Sequence, residues 1–287
     1  MMLLVEIVLK GLVYGSMYAL MAVGLTLVYG LLRILHIAHA GLFTLGAFLG
    51  VVVTNATGSL TLGFVVAIVV AATVGALIYR WAYQPVLKQP PHVPMIISIG
   101  ILVMMEDSFR IIFGSYGLSF KHNPYYQSTV GFLGIRFTEA EIATVIVSFV
   151  LIGLFSLIAT RTRIGLSWRA TVTDPAMASV FGISPIGVRY ANFIVGSSLG
   201  AIAGVLIAIL NNYVEPGMGA TLSYKGLAIV VLGGLGNVRG TLVASLLLGV
   251  VENLGSIYLT DVLDRDAIGF LFLIIVLMIR PQGLVGK

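Results

Sequence analysis

The chain has 287 residues, of which 59% are hydrophobic, 9% are charged and none is cysteine, so disulfides, iron–sulfur clusters and thiolate metal sites are excluded. Soluble domains carry charge on about 25% of their residues, and this composition therefore excludes a water-soluble globular protein and predicts a polytopic membrane protein. The net charge of +5 comes from Lys and Arg scattered between apolar runs, which is typical of the positive-inside bias of membrane proteins and not of a nucleic-acid-binding surface.

The apolar segments predict an all-α fold, a polytopic membrane helical bundle. About 20 apolar residues, at a rise of about 1.5 Å each, cross the hydrocarbon core, and this length predicts about eight transmembrane helices plus a re-entrant half-helix. The eight predicted spans cover residues 12–32, 37–54, 62–81, 95–113, 142–160, 190–210, 240–259 and 268–279. Segment 224–234 is apolar but too short to cross, which favours a re-entrant or broken helix.

The charged connections predict which ends of the helices share a side of the membrane. Segment 161–189 carries four arginines and one acidic residue, so we expect it to be a cytoplasmic loop. The basic residues expected on the same side are Arg80, Lys88, Arg280 and Lys287. The connections expected outside are 55–60, 114–141 and 211–223. If segment 224–234 dips in and returns, the later spans do not alternate cleanly, and the sequence leaves that parity open.

A short helix is predicted inside the cytoplasmic loop. Thr173 or Asp174 is a good N-cap, and Pro175 suits the first helical position. The helix is expected to run over 175–181 and to stop at Gly182, because glycine readily adopts the left-handed conformation of a C-terminal cap. Its small or slim residues, Ala176, Ala178 and Val180, would let it sit in a cleft of another protein. A mere connector would not need this combination of cap, slim face and stop.

Glycines four residues apart predict close helix contacts. Two pairs, Gly11 with Gly15 and Gly46 with Gly50, are expected to serve ordinary packing inside the bundle. The stripe of Gly196, Gly200 and Gly204 is compatible either with the same packing or with a subunit or moving interface.

A few polar residues interrupt the apolar runs and require an explanation. His36 and His39 are three residues apart, but no third ligand lies nearby, so hydrogen bonding across helices or lining of a polar path is favoured over a metal site. Glu106 and Asp107 can both pair with Arg110 on one helical face. Glu252 has no obvious local partner; it could serve a proton relay or simply reach water.

The glycine-rich segment GGLGNVRG, residues 233–240, resembles a phosphate-binding loop only superficially. It lacks the Lys-Ser/Thr pair that would hold phosphate and magnesium. We therefore interpret it as a turn at membrane depth and expect no nucleotide or other cofactor on this chain.

Four segments together resemble the permease subunits of branched-chain amino-acid ABC importers of the high-affinity leucine/isoleucine/valine type. They are GSMYALMAVGLTLVYGLLRILHIAHAGLFTLGAF, WRATVTDPAMASVFGIS, LAIVVLGGLGNVRGTLVASLLLGVVENL and IRPQGLVG, and they extend from Gly15 to Gly286. The likeness covers nearly the whole chain, so 1–287 is expected to be a single transmembrane permease domain in a bacterial inner membrane.

The resemblance implies an importer with a second, homologous permease, two cytoplasmic P-loop ATPase subunits that hold ATP and Mg, and a periplasmic substrate-binding protein. The residues that match the loop pattern docking on the ATPase are Arg169, Asp174, Ala178 and Gly182. Met177 departs from the alanine that is usual at its place. The residues predicted for the translocation path are His36, His39, Gly41, Gly233, Gly234, Gly236 and Gly240.

One other substrate class and two other classes of function stay open from the sequence. Similar permeases carry urea or short amides, and an ion-coupled secondary transporter would need a core carboxylate such as Glu252 or Glu106. A membrane scaffold that transports nothing would tolerate changes around Asp174.

Overall fold

The computed structural model describes residues 2–121, 128–132, 135–259, 263–280 and 283–284. Within those residues it contains eleven α-helices and one short hairpin. The helices are α1 Met2–Leu32, α2 His39–Thr57, α3 Leu60–Ile78, α4 His92–Phe113, α5 Glu139–Arg161, α6 Arg163–Thr173, α7 Pro175–Val180, α8 Pro185–Asn211, α9 Met218–Gly233, α10 Val238–Tyr258 and α11 Arg265–Ile279. The antiparallel strands are β1 Thr129–Phe132 and β2 Ile135–Thr138. A π-helical turn, Tyr79–Tyr83, and a 3-10 turn, Gln84–Val86, extend α3.

Each of the eight predicted spans falls on a helix, and the all-α bundle is confirmed. Among the described residues, six helices are long and apolar enough to cross a membrane: α1, α2, α3, α5, α8 and α10. The other two predicted spans lie in α4, which carries three charged residues, and in α11, which has 15 residues. The predicted half-helix lies in α9, a short apolar helix that begins six residues earlier than expected.

The centre of the bundle is α1, which packs antiparallel to α10. Backbone approaches backbone where Gly11 and Gly15 face α10: a Cβ added to Gly15 would lie 2.8 Å from the Cα of Leu246. Near the start of α1, the Asn253 side chain donates to the Ile7 carbonyl at 2.6 Å. Because neither glycine carries a side chain, the two helices come closer than ordinary residues allow, as predicted.

The stripe of Gly196, Gly200 and Gly204 on α8 lies inside the chain. These glycines face Gly24, His39 and the Phe43 carbonyl respectively, on α1 and α2. Gly46 and Gly50 of α2 face the same helix from the other side. In the described structure the stripe thus serves packing within the bundle, so the alternative of a subunit interface is wrong.

Contacts between loops show which connections share an end of the bundle. At one end, the Asn55 carboxamide bonds the backbone of Ser119 and Lys121, and Leu118 pairs with Val214 in an isolated β-bridge. These residues come from all three connections predicted to be external. The hairpin β1–β2, which the sequence did not predict, belongs to the second of these connections.

The opposite end holds the loop 161–189. There the Tyr190 hydroxyl donates to Gln84 at 3.2 Å, and the Asn192 amide donates to the Leu27 carbonyl at 2.8 Å. The turn between α9 and α10 is at this end too, because Gly236 approaches Gly30 of α1. Helix α9 therefore runs from the interior toward this end and α10 returns, so the spans alternate and the parity question is resolved.

Candidate functional site

The loop helix α7 is fixed at both ends by local hydrogen bonds. The Asp174 carboxylate accepts from the backbone amides of Ala176 and Met177 at 2.9 and 3.0 Å, which satisfies two amides that the first turn leaves unpaired. Asp174, not Thr173, is thus the N-cap, and Pro175 takes the first helical position.

The other end of α7 closes on Gly182. Its φ of +80° is a left-handed conformation that favours glycine. The Gly182 amide donates to the Ser179 carbonyl and the Ile183 amide to the Ala178 carbonyl, both at 3.0 Å, which is a Schellman motif. The predicted stop is confirmed, with the helix ending one residue earlier because Phe181 is the cap.

The two faces of α7 differ from the sequence interpretation. Ala178 is only 3% exposed, and α7 packs against α6 and α8. The outward residues are Met177, Val180 and Phe181, of which Val180 is 78% and Phe181 76% exposed. The slim-face interpretation is therefore wrong for Ala178, whereas Ala176 and Val180 are exposed as expected, and Met177 and Phe181 add two larger apolar side chains to the exposed surface.

Helix α6 ties α7 to the bundle. The Arg169 guanidinium donates to the Ala159 carbonyl in the last turns of α5. Gly165 lies so close to the same turn that a Cβ would collide with the Ile158 and Ala159 carbonyls. The Trp168 ring packs edge-on against Phe155 of α5 with centroids 6.2 Å apart. A displacement of α7 would therefore be passed to α5 through α6.

The two predicted histidines form a buried polar cluster between α1, α2, α3 and α8. His36 Nδ1 lies 2.8 Å from the Tyr83 hydroxyl, and His39 Nε2 lies 3.2 Å from the Met21 carbonyl. The predicted hydrogen bonding across helices is confirmed. One ring nitrogen of each, His36 Nε2 and His39 Nδ1, has no hydrogen-bond partner among the described residues.

Two glycines cradle the His39 ring. A Cβ on Gly24 would lie 2.9 Å from the ring, and one on Gly200 would lie 3.0 Å from it. Gly41, two residues further along α2, is in similarly close contact with the Met105 side chain of α4. The start of α2 is thus enclosed by α1, α8 and α4, and both histidines are buried.

The glycine-rich segment 233–240 forms the turn between α9 and α10. A Cβ on Gly240 would collide with the Gly233 carbonyl oxygen. Gly234 and Gly236 have φ values of +92° and +83°, a region that other residues rarely adopt. Asn237 then caps α10 by accepting from the amides of Arg239 and Gly240. The predicted turn is confirmed, but it lies at the end of the bundle that holds the loop 161–189, beside Gly30, and not midway along the helices.

A buried ion cluster joins four helices, and it corrects the interpretation of Glu252. The Glu252 carboxylate on α10 lies 3.1 Å from Lys225 Nζ on α9 and 3.3 Å from Arg265 Nε on α11. It also accepts from the Tyr18 hydroxyl of α1 at 2.9 Å. Lys225 completes the cluster with Asp266 at 2.7 Å. Two cations face two anions, so the cluster is neutral.

The other predicted ion pair forms only in part. Arg110 pairs with Asp107 at 3.0 Å on an exposed face of α4. No ion pair joins Glu106 to Arg110 among the described residues. The Oε1 atom of Glu106 is buried and accepts no hydrogen bond from the described residues.

Sequence reasoning missed Lys225, Arg265, Asp266 and Tyr18 as functional or structural groups. The available signal was Lys225, the one charge within the short apolar segment 224–234. A charge there needs a buried partner, and Glu252 was the matching unpaired acid. As to metals, the described part of the chain brings no three His, Asp or Glu residues together in a binding arrangement.

Comparisons with a family model and with individual known proteins place the chain in the same family. Residues 7–279 match the family described as "Branched-chain amino acid transport system / permease component". The chain is 30% identical over 290 residues to the high-affinity branched-chain amino acid transport system permease protein LivH of Escherichia coli K12, covering 97% of this chain and 94% of that protein. It is 26% identical to a probable LivH of Methanocaldococcus jannaschii, covering 98% and 92% of the two chains.

Two more distant similarities extend this result. The permease protein LivM of E. coli K12 is 24% identical, over 93% of this chain and 67% of LivM. Among solved structures, PsaBC from Streptococcus pneumoniae in complex with Fab matches with a TM-score of 0.53 and 14% identity, over 95% of this chain and 91% of that one. At that identity the likeness is one of fold.

Proposed function

Because the chain belongs to the permease components of branched-chain amino acid transport systems, we propose that it is one of two related permeases of an ATP-driven importer in a bacterial inner membrane. A periplasmic binding protein delivers branched-chain amino acids, and two cytoplasmic P-loop ATPases, which hold ATP and Mg, drive alternating access. This chain catalyses no reaction and binds no cofactor; it forms the path.

The observation that carries the proposal is the exposed apolar surface of α7. Met177, Val180 and Phe181 project from a basic loop at one end of the bundle, where apolar side chains would not be left in water without a partner. A cleft of an ATPase subunit covers them. Because Asp174 and the Gly182 motif fix α7 as a rigid unit, the ATPase can push the unit as a whole.

The mechanical route follows from the attachments of α6. Closure of the ATPases displaces α7, and Arg169, Gly165 and Trp168 pass the displacement to α5. Helix α8 moves with it, since it begins three residues after Gly182 and contacts α6 and α7. The path through the bundle then opens to one side of the membrane at a time.

We place the translocation path beside the histidine cluster and the glycine turn. His36 and His39 bring buried polar groups to the break between α1 and α2, and Gly41 follows them at the start of α2. Helix α9 begins beside them, where Gly219 approaches Ala40. The start of a short helix inside the bundle carries the positive end of the helix dipole, which suits a carboxylate, and Leu, Val and Phe side chains around it suit an apolar substrate.

The relatives LivH and LivM are named as branched-chain amino acid permeases, which supports the substrate class, and matches to both support a pair of unlike permeases. The ion-coupled alternative loses one of its two candidate carboxylates, because Glu252 is held by Lys225, Arg265 and Tyr18, and only Glu106 is left for it. No observation favours urea or short amides.

Uptake into proteoliposomes tests the substrate and the energy source. The chain, its partner permease, the ATPases and the binding protein are reconstituted, and uptake of leucine, valine, urea and acetamide is measured with and without ATP. We expect ATP-dependent uptake of leucine and valine. Uptake of urea or acetamide alone, or leucine uptake driven by an ion gradient without ATP, would overturn the proposal.

Co-purification tests the docking surface separately. We expect the ATPase to co-purify with the solubilised permease and to be lost on Val180→Asp, which puts a charge into the apolar contact. Tyr116→Asp, at a still more exposed residue of the opposite end, is the matched control and should retain the ATPase. Loss in both variants, or in neither, contradicts docking at α7.

A further inference from the structure

An apolar groove opens on the side of the bundle where α5, α6 and α8 meet. Its volume is about 410 Å³, and its walls are almost entirely hydrocarbon. The main lining residues are Leu154, Phe155, Ile158, Trp168, Val188 and Val195. Leu154, Ile158 and Val195 are also exposed, so the groove is open sideways to whatever surrounds the bundle.

The groove has a depth that matches one leaflet of a bilayer. Along α8 the lining extends from Gly187 to Leu199, which is about 18 Å at about 1.5 Å per residue. Half of a hydrocarbon core is about 15 Å. The groove starts under α6, at the end of the bundle that carries the loop 161–189, and runs toward the middle of the spans.

Three arginines are close in sequence to lining residues at the end of the groove next to α6. Arg161 ends α5, and Arg163 begins α6 directly beside the lining residues Ala159 and Ile164. The Arg169 guanidinium bonds the carbonyl of Ala159. Residues 142–173 contain these three arginines and no acidic residue, and the next acidic residue, Asp174, bonds the amides of Ala176 and Met177 in α7.

Apolar walls one leaflet deep and an arginine cluster at their outer end are the two halves of a phospholipid site. We propose that the groove binds an anionic phospholipid of the leaflet that faces the loop 161–189. One acyl chain lies along α8 between Val188 and Val195, and the phosphate lies at Arg161 and Arg163. Trp168 lies at the boundary between these two parts, a position typical of tryptophan in membrane proteins.

This inference goes beyond the transport proposal and does not depend on which solute is carried. In addition to its contacts with neighbouring helices, α6 would contact a bound lipid, which would also touch α5 and α8. The elements that transmit motion from the loop would then respond to the anionic lipid content of the membrane.

Tryptophan fluorescence tests the site in the full chain. The chain has two tryptophans, and Trp81, which is 72% exposed, is replaced by Phe so that Trp168 is the single emitter. The protein is placed in vesicles of unlabelled phosphatidylcholine to which one brominated lipid is added, either brominated phosphatidylglycerol or brominated phosphatidylcholine. The brominated acyl chains quench the fluorescence of a tryptophan that they contact. We expect phosphatidylglycerol to quench Trp168 at a lower mole fraction.

Two variants separate the acyl-chain and headgroup contacts. Ala191→Phe fills the groove and should reduce quenching by both lipids. Arg163→Gln should reduce the preference for phosphatidylglycerol about fivefold, the contribution expected of one basic residue at an anionic surface. Arg136→Gln, an exposed arginine of the hairpin at the opposite end, should change nothing.

Two results with the Trp81→Phe protein would overturn the proposal without reliance on any further variant. Equal quenching by the two brominated lipids shows a lipid-facing groove that recognises no anionic headgroup. Absence of quenching by either lipid shows that protein, such as a second permease subunit, covers the groove. Repeating the measurement in the assembled importer distinguishes a groove that is covered only after assembly.

Discussion

Glu252 on α10 and Lys225 on α9 form an ion pair of 3.1 Å in which the lysine side chain is 9% exposed and the glutamate is fully buried. The two residues belong to neighbouring helices joined by the glycine turn, and the tyrosine of α1 that bonds Glu252 fixes this pair to the central helix. A buried pair of this kind is tolerated because its charges cancel and because Lys225, Arg265 and Tyr18 all bond the Oε2 atom of Glu252. Removal of one partner leaves the other charged and buried.

Glu252→Gln should destabilise the solubilised chain strongly. The substitution keeps the shape of the side chain but leaves Lys225 and Arg265 with Asp266 as their single anion, at an expected cost of about 3–5 kcal/mol. Asp107→Asn, which breaks the exposed pair with Arg110, should cost at most about 1 kcal/mol. The measurement is thermal unfolding in detergent. Equal shifts of the two variants would show that the buried cluster has no special role.

Combining Lys225→Met with Glu252→Gln should recover part of the lost stability. The double variant removes one cation and one anion, so the remaining Arg265 and Asp266 are again balanced. We expect its melting temperature to lie above that of Glu252→Gln alone. If the double variant loses as much stability as the two single variants together, or more, the groups do not act as a neutral unit.

Gly240→Ala should prevent correct folding of the α9–α10 hairpin. Its Cβ would collide with the Gly233 carbonyl, and neither backbone can move without opening the turn. Gly153→Ala, on an exposed face of α5 with nothing within 4 Å of the added Cβ, is the matched control. The amount of monodisperse protein after solubilisation measures the difference. Similar yields for both would contradict the close approach.

Asp174→Ala should reduce ATP-dependent leucine uptake without lowering the melting temperature of the bundle. Loss of the cap destabilises α7 locally by about 1 kcal/mol, which corresponds to about fivefold in the population of the formed helix. Asp174→Asn retains an acceptor that caps almost as well and should retain uptake. If both variants lose uptake equally, the carboxylate acts through its charge and not through the helix it caps.

The direction of the helices predicts that the two ends of the chain lie on opposite sides of the membrane. Asn192, near the start of α8, bonds Leu27, near the end of α1, so the start of α1 lies away from the loop 161–189. Leu284 donates its amide to the Leu232 carbonyl, at the end of α9 next to the glycine turn. We therefore expect the N-terminal side outside and the C-terminal side in the cytoplasm.

Cysteine labelling checks this arrangement cleanly because the chain has no cysteine of its own. Leu3→Cys and Tyr116→Cys should react with an impermeant maleimide in intact spheroplasts, whereas Arg280→Cys should react only after permeabilisation. Labelling of Leu3→Cys and Arg280→Cys from the same side would show that the short helix α9 does not complete a crossing.

Local features of the site were predictable from sequence, and features that depend on packing were not. The Asp174 cap, the Pro175 position and the Gly182 stop follow from backbone chemistry within a few residues. The partners of Glu252 could not be found in the same way, because Tyr18 lies 234 residues away and Lys225 lies 27 residues away. The segment IRPQGLVG is covered only in part, since residues 281–282 and 285–286, like Lys287, lie outside the described residues.

The direction in which α7 faces also needed the structure. A helix of six residues is too short for its periodicity to define a buried face, so small size was taken to mark the docking surface. Packing against α6 and α8 instead buries Ala178, whereas Val180, which was expected on the docking surface, projects outward together with the larger Phe181. Likewise, the spacing of Gly196, Gly200 and Gly204 predicted a close contact but not that α1 and α2 of the same chain provide it.

Site-directed crosslinking from α7 tests the central claim most directly. A photoreactive maleimide is attached to a cysteine introduced by Val180→Cys, in the importer assembled with its ATPases, and by Tyr116→Cys as the control at the opposite end. The account predicts a crosslink from Val180 to an ATPase subunit, with a yield that changes when ATP binds, and none from Tyr116. An importer that transports leucine with no crosslink from Val180, or with one from Tyr116, would contradict it.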